Sequence, residues 1–585
     1  MAPRRSARAA PAKPEPVEPV ETRPARALKK ASGALASRPK KSDAPAVKPA
    51  APAAPAAPTT AAAKKPVARK AAVHAPEPQP KRKKDEETAL ERKPKKARIA
   101  KVHEEEKEKP KGPVRRGGRK VIINEREYTK PLNVYVFGEG GSGELGLGAS
   151  KKAVDVKRPR FNEALSKMDV VRLAAGGMHV VALTLDNHIL TWGVNDNGAL
   201  GRDTTNEDVK MKEIDENGSD SGSDSDSDSD SGLNEKEATP TAISMEHFPE
   251  DTVFVDVAAG DSCSFALTDE GAVYGWGTFR KNEGVLGFTK DVDTARTPIY
   301  LEGLKKIRKL VCGTNHVIAL DSDHNVWAWG NGQQNQLGRR LTERTMHESL
   351  VPTHVGFGDK SDRSFKGASK KMETVACGDY HGMAIATDNH IWAWGANNYG
   401  ETGFPDNAGS DNATVSPPRI IAVLEGLNIQ SIACGSHHNV ALSTNGNCYV
   451  WGRCDGSQTG IPLSQLTAID DECIVKKQNN KPKILIQPTR LPSLSDVVMV
   501  ACGSEHSIAI TKSGKAYSWG FSANFQTGQG TLADIETPTL IDNTASKSAK
   551  YIWAGAGGQY SIMASIREPT MNGTSSKVPN GVLSA

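Results

Sequence analysis

The rhythm of hydrophobic and polar positions changes near Asn133. Beyond it, short alternating apolar runs are broken by Gly, Asn, Asp and Ser. That is the pattern of brief antiparallel strands joined by tight turns. One run repeats: Ala433-Cys434-Gly435-Ser436-His437-His438-Asn439-Val440-Ala441-Leu442 returns as Ala501-Cys502-Gly503-Ser504-Glu505-His506-Ser507-Ile508-Ala509-Ile510. Three residues after the repeated Gly stands His179, Cys263, His316, His381, His438 or His506. A Trp-Gly pair follows each of them 13 residues later, at Trp192, Trp276, Trp329, Trp394, Trp451 and Trp519. Turn sequences such as Thr387-Asp388-Asn389-His390 lie between and supply hairpin geometry.

Units recurring at 53 to 84 residues have room for four strands each. A single four-stranded sheet cannot bury both faces, so the repeats predict radially packed blades. Phe137-Gly138 is a seventh Trp-Gly-type step with no strand of the repeat before it, and the last repeat, Ala554 to Ile566, has no Trp-Gly strand after it. The two halves should pair. The fold predicted is all-β, a seven-bladed β-propeller over residues 131–566 whose N- and C-terminal strands close the last blade.

Composition sets the flanks apart. Residues 1–130 hold 35 Lys/Arg against 15 Asp/Glu, and the remainder holds 40 against 54. The Ala/Pro/Lys-rich start has almost no aromatic residues and cannot offset its ordering entropy, so residues 1–130 are expected to be a disordered basic tail. Two clusters in it, Lys81-Arg82-Lys83-Lys84 and Arg92-Lys93-Pro94-Lys95-Lys96-Ala97-Arg98, read as nuclear-import signals or nucleic-acid patches. Residues 203–240, with alternating Asp and Ser from Ser223 to Ser231, are expected to be a disordered acidic insert, and 567–585 a disordered tail. No signal peptide or membrane-spanning run is apparent, and the eight cysteines show no CxxC spacing, which points to a reducing compartment. Cys312, Cys377, Cys434 and Cys502 share one repeat position and read as small packing residues, held by their blades too far apart to bind a metal.

Deviations from the repeat are the candidate binding features. The interval from Trp or Phe to the closing Gly is 9 residues in six blades and 11 in one, Trp276 to Gly287. The longer loop carries Phe279, Arg280, Lys281, Asn282, Glu283, Gly284 and Val285. Loops on a rigid scaffold are where binding residues concentrate. Residues between the repeated Gly and the repeated His vary: Asp261-Ser262, Thr314-Asn315, Asp379-Tyr380, Ser436-His437, Ser504-Glu505. Variable polar groups at one geometric level suggest a contact face. The recurring histidines are expected to be buried and hydrogen-bonded, whereas His437 occurs at its position once. Gly138-Glu139-Gly140-Gly141-Ser142-Gly143 fits GxGxxG in form only, because no helix follows to hold a pyrophosphate. No nucleotide, metal or nucleophile motif remains, so neither a cofactor nor covalent chemistry is expected.

The repeat Ala-Cys-Gly-x-x-His with its Trp-Gly and closing Gly resembles the regulator of chromosome condensation family, over about residues 131–566. The finer match is to its nuclear branch, which exchanges guanine nucleotide on the small GTPase Ran. That resemblance implies that Phe279 to Val285 are a protruding wedge, and that Asp261, Asn398 and His437 lie on a GTPase-binding face. Two members of that face are substituted: a family aspartate is Asn315 here and a late histidine is Tyr560. An acidic residue of the first blade's loop is Gly141. The excursion after Gly338 corresponds to a loop that docks on the nucleosome, with Arg339, Arg340 and Arg344 as its candidates. The implied partners are Ran in its nucleotide-free state, histones and DNA, and an importin, for a monomer on nuclear chromatin. The other class of function considered is a propeller adaptor that binds chromatin or ubiquitin-ligase partners without exchange activity.

Overall fold

Alternation becomes radial packing: in the second strands of the repeats, such as His438–Ser443 and His506–Thr511, all six residues are buried. The computed structural model describes residues 110–115, 118–205, 232–358, 367–544 and 547–568. Seven antiparallel sheets form the blades: residues 170–242, 254–300, 307–354, 372–420, 429–490 and 497–540 make blades 1 to 6. Blade 7 joins Tyr551–Ala556 and Tyr560–Ile566 to Leu132–Glu139 and Asp155–Asn162, in register through Val134 with Ala564 and Gly138 with Tyr560. The closure expected from the two half-repeats is therefore formed. Blade 5 has a fifth strand, Ile474–Lys476.

Most of the repeated residues make a contact that crosses to a neighbouring blade. His179, His438 and His506 bond through Nε2 to Ser264, Ser507 and Ser561 Oγ at 2.7, 2.8 and 2.8 Å. His381 reaches Asn439 Oδ1 at 2.7 Å and His316 the Cys377 thiol at 3.1 Å. Burial holds these rings far below ordinary imidazole, at about 4 for His179 and about 3 for His316, His438 and His506. Trp192, Trp276, Trp394, Trp451 and Trp519 each donate Nε1–H to a carbonyl of the preceding blade at 2.8–2.9 Å. The closing glycines need both their backbone and their bareness. Gly460 has φ +66°, and a Cβ there would lie 2.8 Å from Trp519.

Around the axis, backbone bonds link one blade to the next, from Asp261 N–H to Thr314 O, Ser436 to Ser504 O and Gly558 to Gly177 O. They ring a cavity of about 480 Å³ that Cys312, Cys377, Cys434 and Cys502 help to line. The four thiols, one from each of blades 3 to 6, are half-buried along this axial channel. Burial still raises each, Cys502 to about 12, and keeps them protonated.

The tail boundary moves inward. Residues 118–128, counted in the basic tail by composition, lie across the strand ends opposite the Gly-x-x-His loops. Ile123 and Asn124 N–H donate to Asp269 O at 2.7 and 2.9 Å, and the Asn124 amide bridges Thr268 O and Ile307 O. Arg172 stacks on Tyr128 at 4.6 Å. Residues 232–240, expected within the acidic insert, are also folded: Glu235–Ala238 is a helical turn tied to Thr204 through Glu237 at 2.8 Å. The Asp/Ser run, both import-like clusters (Lys81 to Lys84 and Arg92 to Arg98) and residues 569–585 lie outside the described residues.

Candidate GTPase-binding face

Gly-x-x-His turns and the loops after Trp-Gly emerge at the same end of every blade, because the repeated His pairs with the Gly of Trp-Gly, as His316 does with Gly330. Side chains one or two positions before the repeated His therefore share one face with the loops.

The long loop of blade 2 is a hairpin standing apart from its blade. Phe279–Lys281 pairs with Gly284–Gly287 as a separate two-stranded sheet. Its base is sunk: Phe279 is fully buried, stacked at 5.8 Å on Phe288, with Leu286 beside it in the core. Its tip is open, with Arg280, Asn282, Glu283 and Val285 exposed and Lys281 and Gly284 half-buried. Phe279 is thus the anchor of the hairpin and not part of its contact surface, because an apolar ring at the base gains more from the core between blades 2 and 3 than from solvent. Blade 3 braces the tip. Asn315 Oδ1 accepts from Arg280 N–H at 2.7 Å, Asn331 donates to Arg280 O at 3.1 Å, and Gln333 accepts from Asn282 N–H at 3.1 Å. Asn315, counted among face residues, acts here as a strut. An aspartate could accept the same bond, so the substitution keeps that geometry.

Asp261 sits at the mouth of the axial cavity beside this hairpin. Burial and then the Asp379 carboxylate raise its pKa, while Arg280 of the hairpin and Ser262 oppose the rise. The second cluster lies on blades 4 and 5. His437 Nδ1 is 2.8 Å from Glu401 Oε1, and its ring packs on Tyr399 at 4.3 Å and Tyr380 at 6.0 Å. Arg453 lies 5.4 Å from Tyr399 and is paired with Asp455 and Glu505. Asn398 adjoins Tyr399, and its Oδ1 is buried without a hydrogen-bond partner among the described residues. Asp379 and Tyr380 link the clusters: burial raises the Tyr380 phenol, and the Asp379 charge adds to that rise as it does for Asp261.

Two predicted residues lie elsewhere. Tyr560 is fully buried and occupies the repeated-His position, where its hydroxyl donates to Gly176 O and His179 O at 3.0 and 2.9 Å. It replaces a repeat histidine, not a face residue; Gln559 holds the face position. Arg339 is also inward. It donates to Ala328 O of its own blade at 3.3 Å, as Arg202 does to Thr191 O in blade 1, and burial lowers its pKa. Arg340 and Arg344 are exposed. Their segment, including the 3-10 helix Glu343–Leu350, is no free loop: Met346 and Leu350 join the core around the hairpin base. Sequence reasoning missed Glu401, Tyr399, Asn331 and Gln333. Glu401 was findable, since it stands where Gln336, Gln458 and Gln526 stand in sister blades.

The chain matches the RCC1-like domain family over residues 133–563. It is 38% identical over 462 residues to "Guanine nucleotide exchange factor SRM1" of Saccharomyces cerevisiae, covering 76% of this chain and 91% of that protein. A crystal structure of Prp20p from Saccharomyces cerevisiae, studied with its binding properties to Gsp1p and histones, superposes with a TM-score of 0.66 at 36% identity, covering 77% of this chain and 96% of that one. A structure of Kap60 bound to yeast RCC1 (Prp20) gives the same score and identity over 79% and 97%. With its seven repeats, its closed ring and these matches, the chain belongs to the RCC1-like, regulator of chromosome condensation family.

Proposed function

We propose that this protein is a guanine-nucleotide exchange factor for the small GTPase Ran, held on nuclear chromatin. The observation that carries the reading is the braced hairpin: blade 2 projects a separate two-stranded finger, pinned at Phe279 and held by Asn315, Asn331 and Gln333. A GTPase grips its nucleotide through loop amides, a Lys and Mg²⁺. Residues Arg280 to Val285 would press on the phosphate-binding region, while Asp261, Asn398 and His437 hold the GTPase body. A thousandfold loosening of nucleotide takes about 4 kcal/mol of coupling, and linkage makes nucleotide loosen the propeller equally. No covalent step and no cofactor is required of the propeller; the ratio of free GTP to GDP sets the direction.

Exposed Arg340 and Arg344 suit an acidic histone surface, and the basic tail suits DNA, with an affinity that falls steeply with salt. Clusters Lys81 to Lys84 and Arg92 to Arg98 suit an importin. The chain is read as acting as a monomer. The test is release of fluorescent GDP from Ran at catalytic propeller concentrations. Acceleration is expected; its absence leaves the adaptor reading. Arg340→Glu with Arg344→Glu should weaken nucleosome capture roughly tenfold at unchanged exchange.

A further inference from the structure

The position of Glu401 does one job in several blades. Gln336, Gln458 and Gln526 accept through Oε1 from the backbone N–H two residues earlier, at 2.7, 2.9 and 2.9 Å. Glu144 and Glu401 do so with a carboxylate oxygen, from Ser142 N–H at 2.9 Å and Tyr399 N–H at 2.8 Å. Each side chain then has one polar atom left. In Gln458 it is an NH₂, which donates to Glu505, the face residue of the next blade, at 2.5 Å. In Glu401 it is Oε1, 2.8 Å from Nδ1 of His437, likewise the face residue of the next blade. The polarity of the bond is reversed.

The reversal fixes a proton. A carboxylate only accepts, so His437 Nδ1 donates and carries the hydrogen. The Glu401 side chain is fully buried, whereas that of His437 is 19% exposed, so the carboxylate serves the imidazole and not solvent. The ring has little freedom: Tyr399 and Tyr380 pack against it, and the His437 backbone is fixed by its carbonyl accepting from Arg453 N–H at 2.7 Å. Nε2 has no partner among the described residues.

We propose that Glu401 is a positioning residue that holds His437 as the Nδ1–H tautomer, so that the face offers an imidazole Nε2 lone pair to an N–H or O–H donor of the GTPase. This deepens the reading of that face and rests on it. It also places a donor on the partner opposite His437, where a ring free to choose its tautomer would accept either polarity.

The test is Glu401→Gln in the full chain. Glutamine already fills this position at 336, 458 and 526, so the bond from Tyr399 N–H and the fold should hold. Its NH₂ would face Nδ1, move the ring proton to Nε2 and turn an acceptor into a donor. Ring ¹⁵N shifts of histidine-labelled protein, assigned by the signal lost in His437→Ala, read the tautomer directly. Wild type should show protonated Nδ1 and bare Nε2, and the variant the reverse. GDP release from Ran should slow roughly tenfold in kcat/KM at unchanged Tm. A wild-type ring protonated at Nε2, alone or together with Nδ1, overturns the proposal whether or not the variant folds. Normal exchange in Glu401→Gln, with His437→Ala slowed, overturns it while sparing the face. Normal exchange in both, with the tautomer reversed, removes the face reading itself.

Discussion

His437 and His438 are neighbours in sequence and belong to different layers of the molecule. His438 is fully buried and spends its Nε2 on Ser507 of the next blade, as four other repeat histidines do on theirs. His437 lies outward with tyrosines around it and a carboxylate behind it. Strand alternation sends one side chain into the seam between blades and leaves the other at the turn. What the contrast teaches is that this ring separates duties by a single residue step. One layer repeats because every seam has the same geometry; the next varies because it meets something that is not a blade.

The sharpest way to break that contrast is to cut the finger from the ring. Removing residues 280–285 while keeping Phe279 should lower GDP release from Ran more than about a hundredfold and leave Tm within about 2 °C. Phe279→Ala should do the converse first, costing about 3–5 kcal/mol in denaturant melts. A finger deletion that unfolds the ring would put the whole loop in the stabilising layer.

Acid should act on the buried layer. In the folded ring His179 titrates at about 4 and His316, His438 and His506 at about 3, below the unfolded value of about 6.5. The unfolded chain therefore takes up protons first as pH falls. The stability of the neutral rings is complete above about pH 6.5 and is lost toward pH 3–4, at roughly 1.4 kcal/mol per pH unit per ring. Urea midpoints should drop steeply from pH 7 to pH 5, and His438→Gln should flatten that slope by one ring's share.

Paired substitutions come next in size. His438→Ala should cost about 2–3 kcal/mol of stability through a lost buried bond and the space left behind. His437→Ala should slow exchange roughly tenfold with Tm nearly unmoved. Equal effects of the two on both measurements would erase the distinction between the layers. Smallest is Tyr560→Phe. Loss of its hydroxyl bonds to Gly176 O and His179 O should cost about 1–2 kcal/mol and leave exchange intact, which separates this residue from the face.

The blade count, the buried histidines and the odd loop of blade 2 were all legible in the sequence, because each follows from a repeat or a break in one. The errors share a different cause. Tyr560 was placed on the face by analogy, although its spacing from Gly557 is that of every repeat histidine. Arg339 came with the docking loop by the same analogy, yet its guanidinium bonds to a carbonyl of its own blade. Residues 118–128 carry tail-like composition and are held by backbone and amide bonds that no composition reveals.

The sequence alone determined how many sheets there are, which residues lie in their seams and which loop is too long, since these depend on local periodicity and on counting. Only the tertiary structure decided which groups from different blades meet. Phe279 became an anchor with its ring against Gly330 of blade 3, Asn315 a strut and Glu401 the partner of His437 when the ring closed and brought the end of one blade against the start of the next. Those contacts span tens of residues and depend on how adjacent sheets are rotated about the axis, a quantity no single strand encodes.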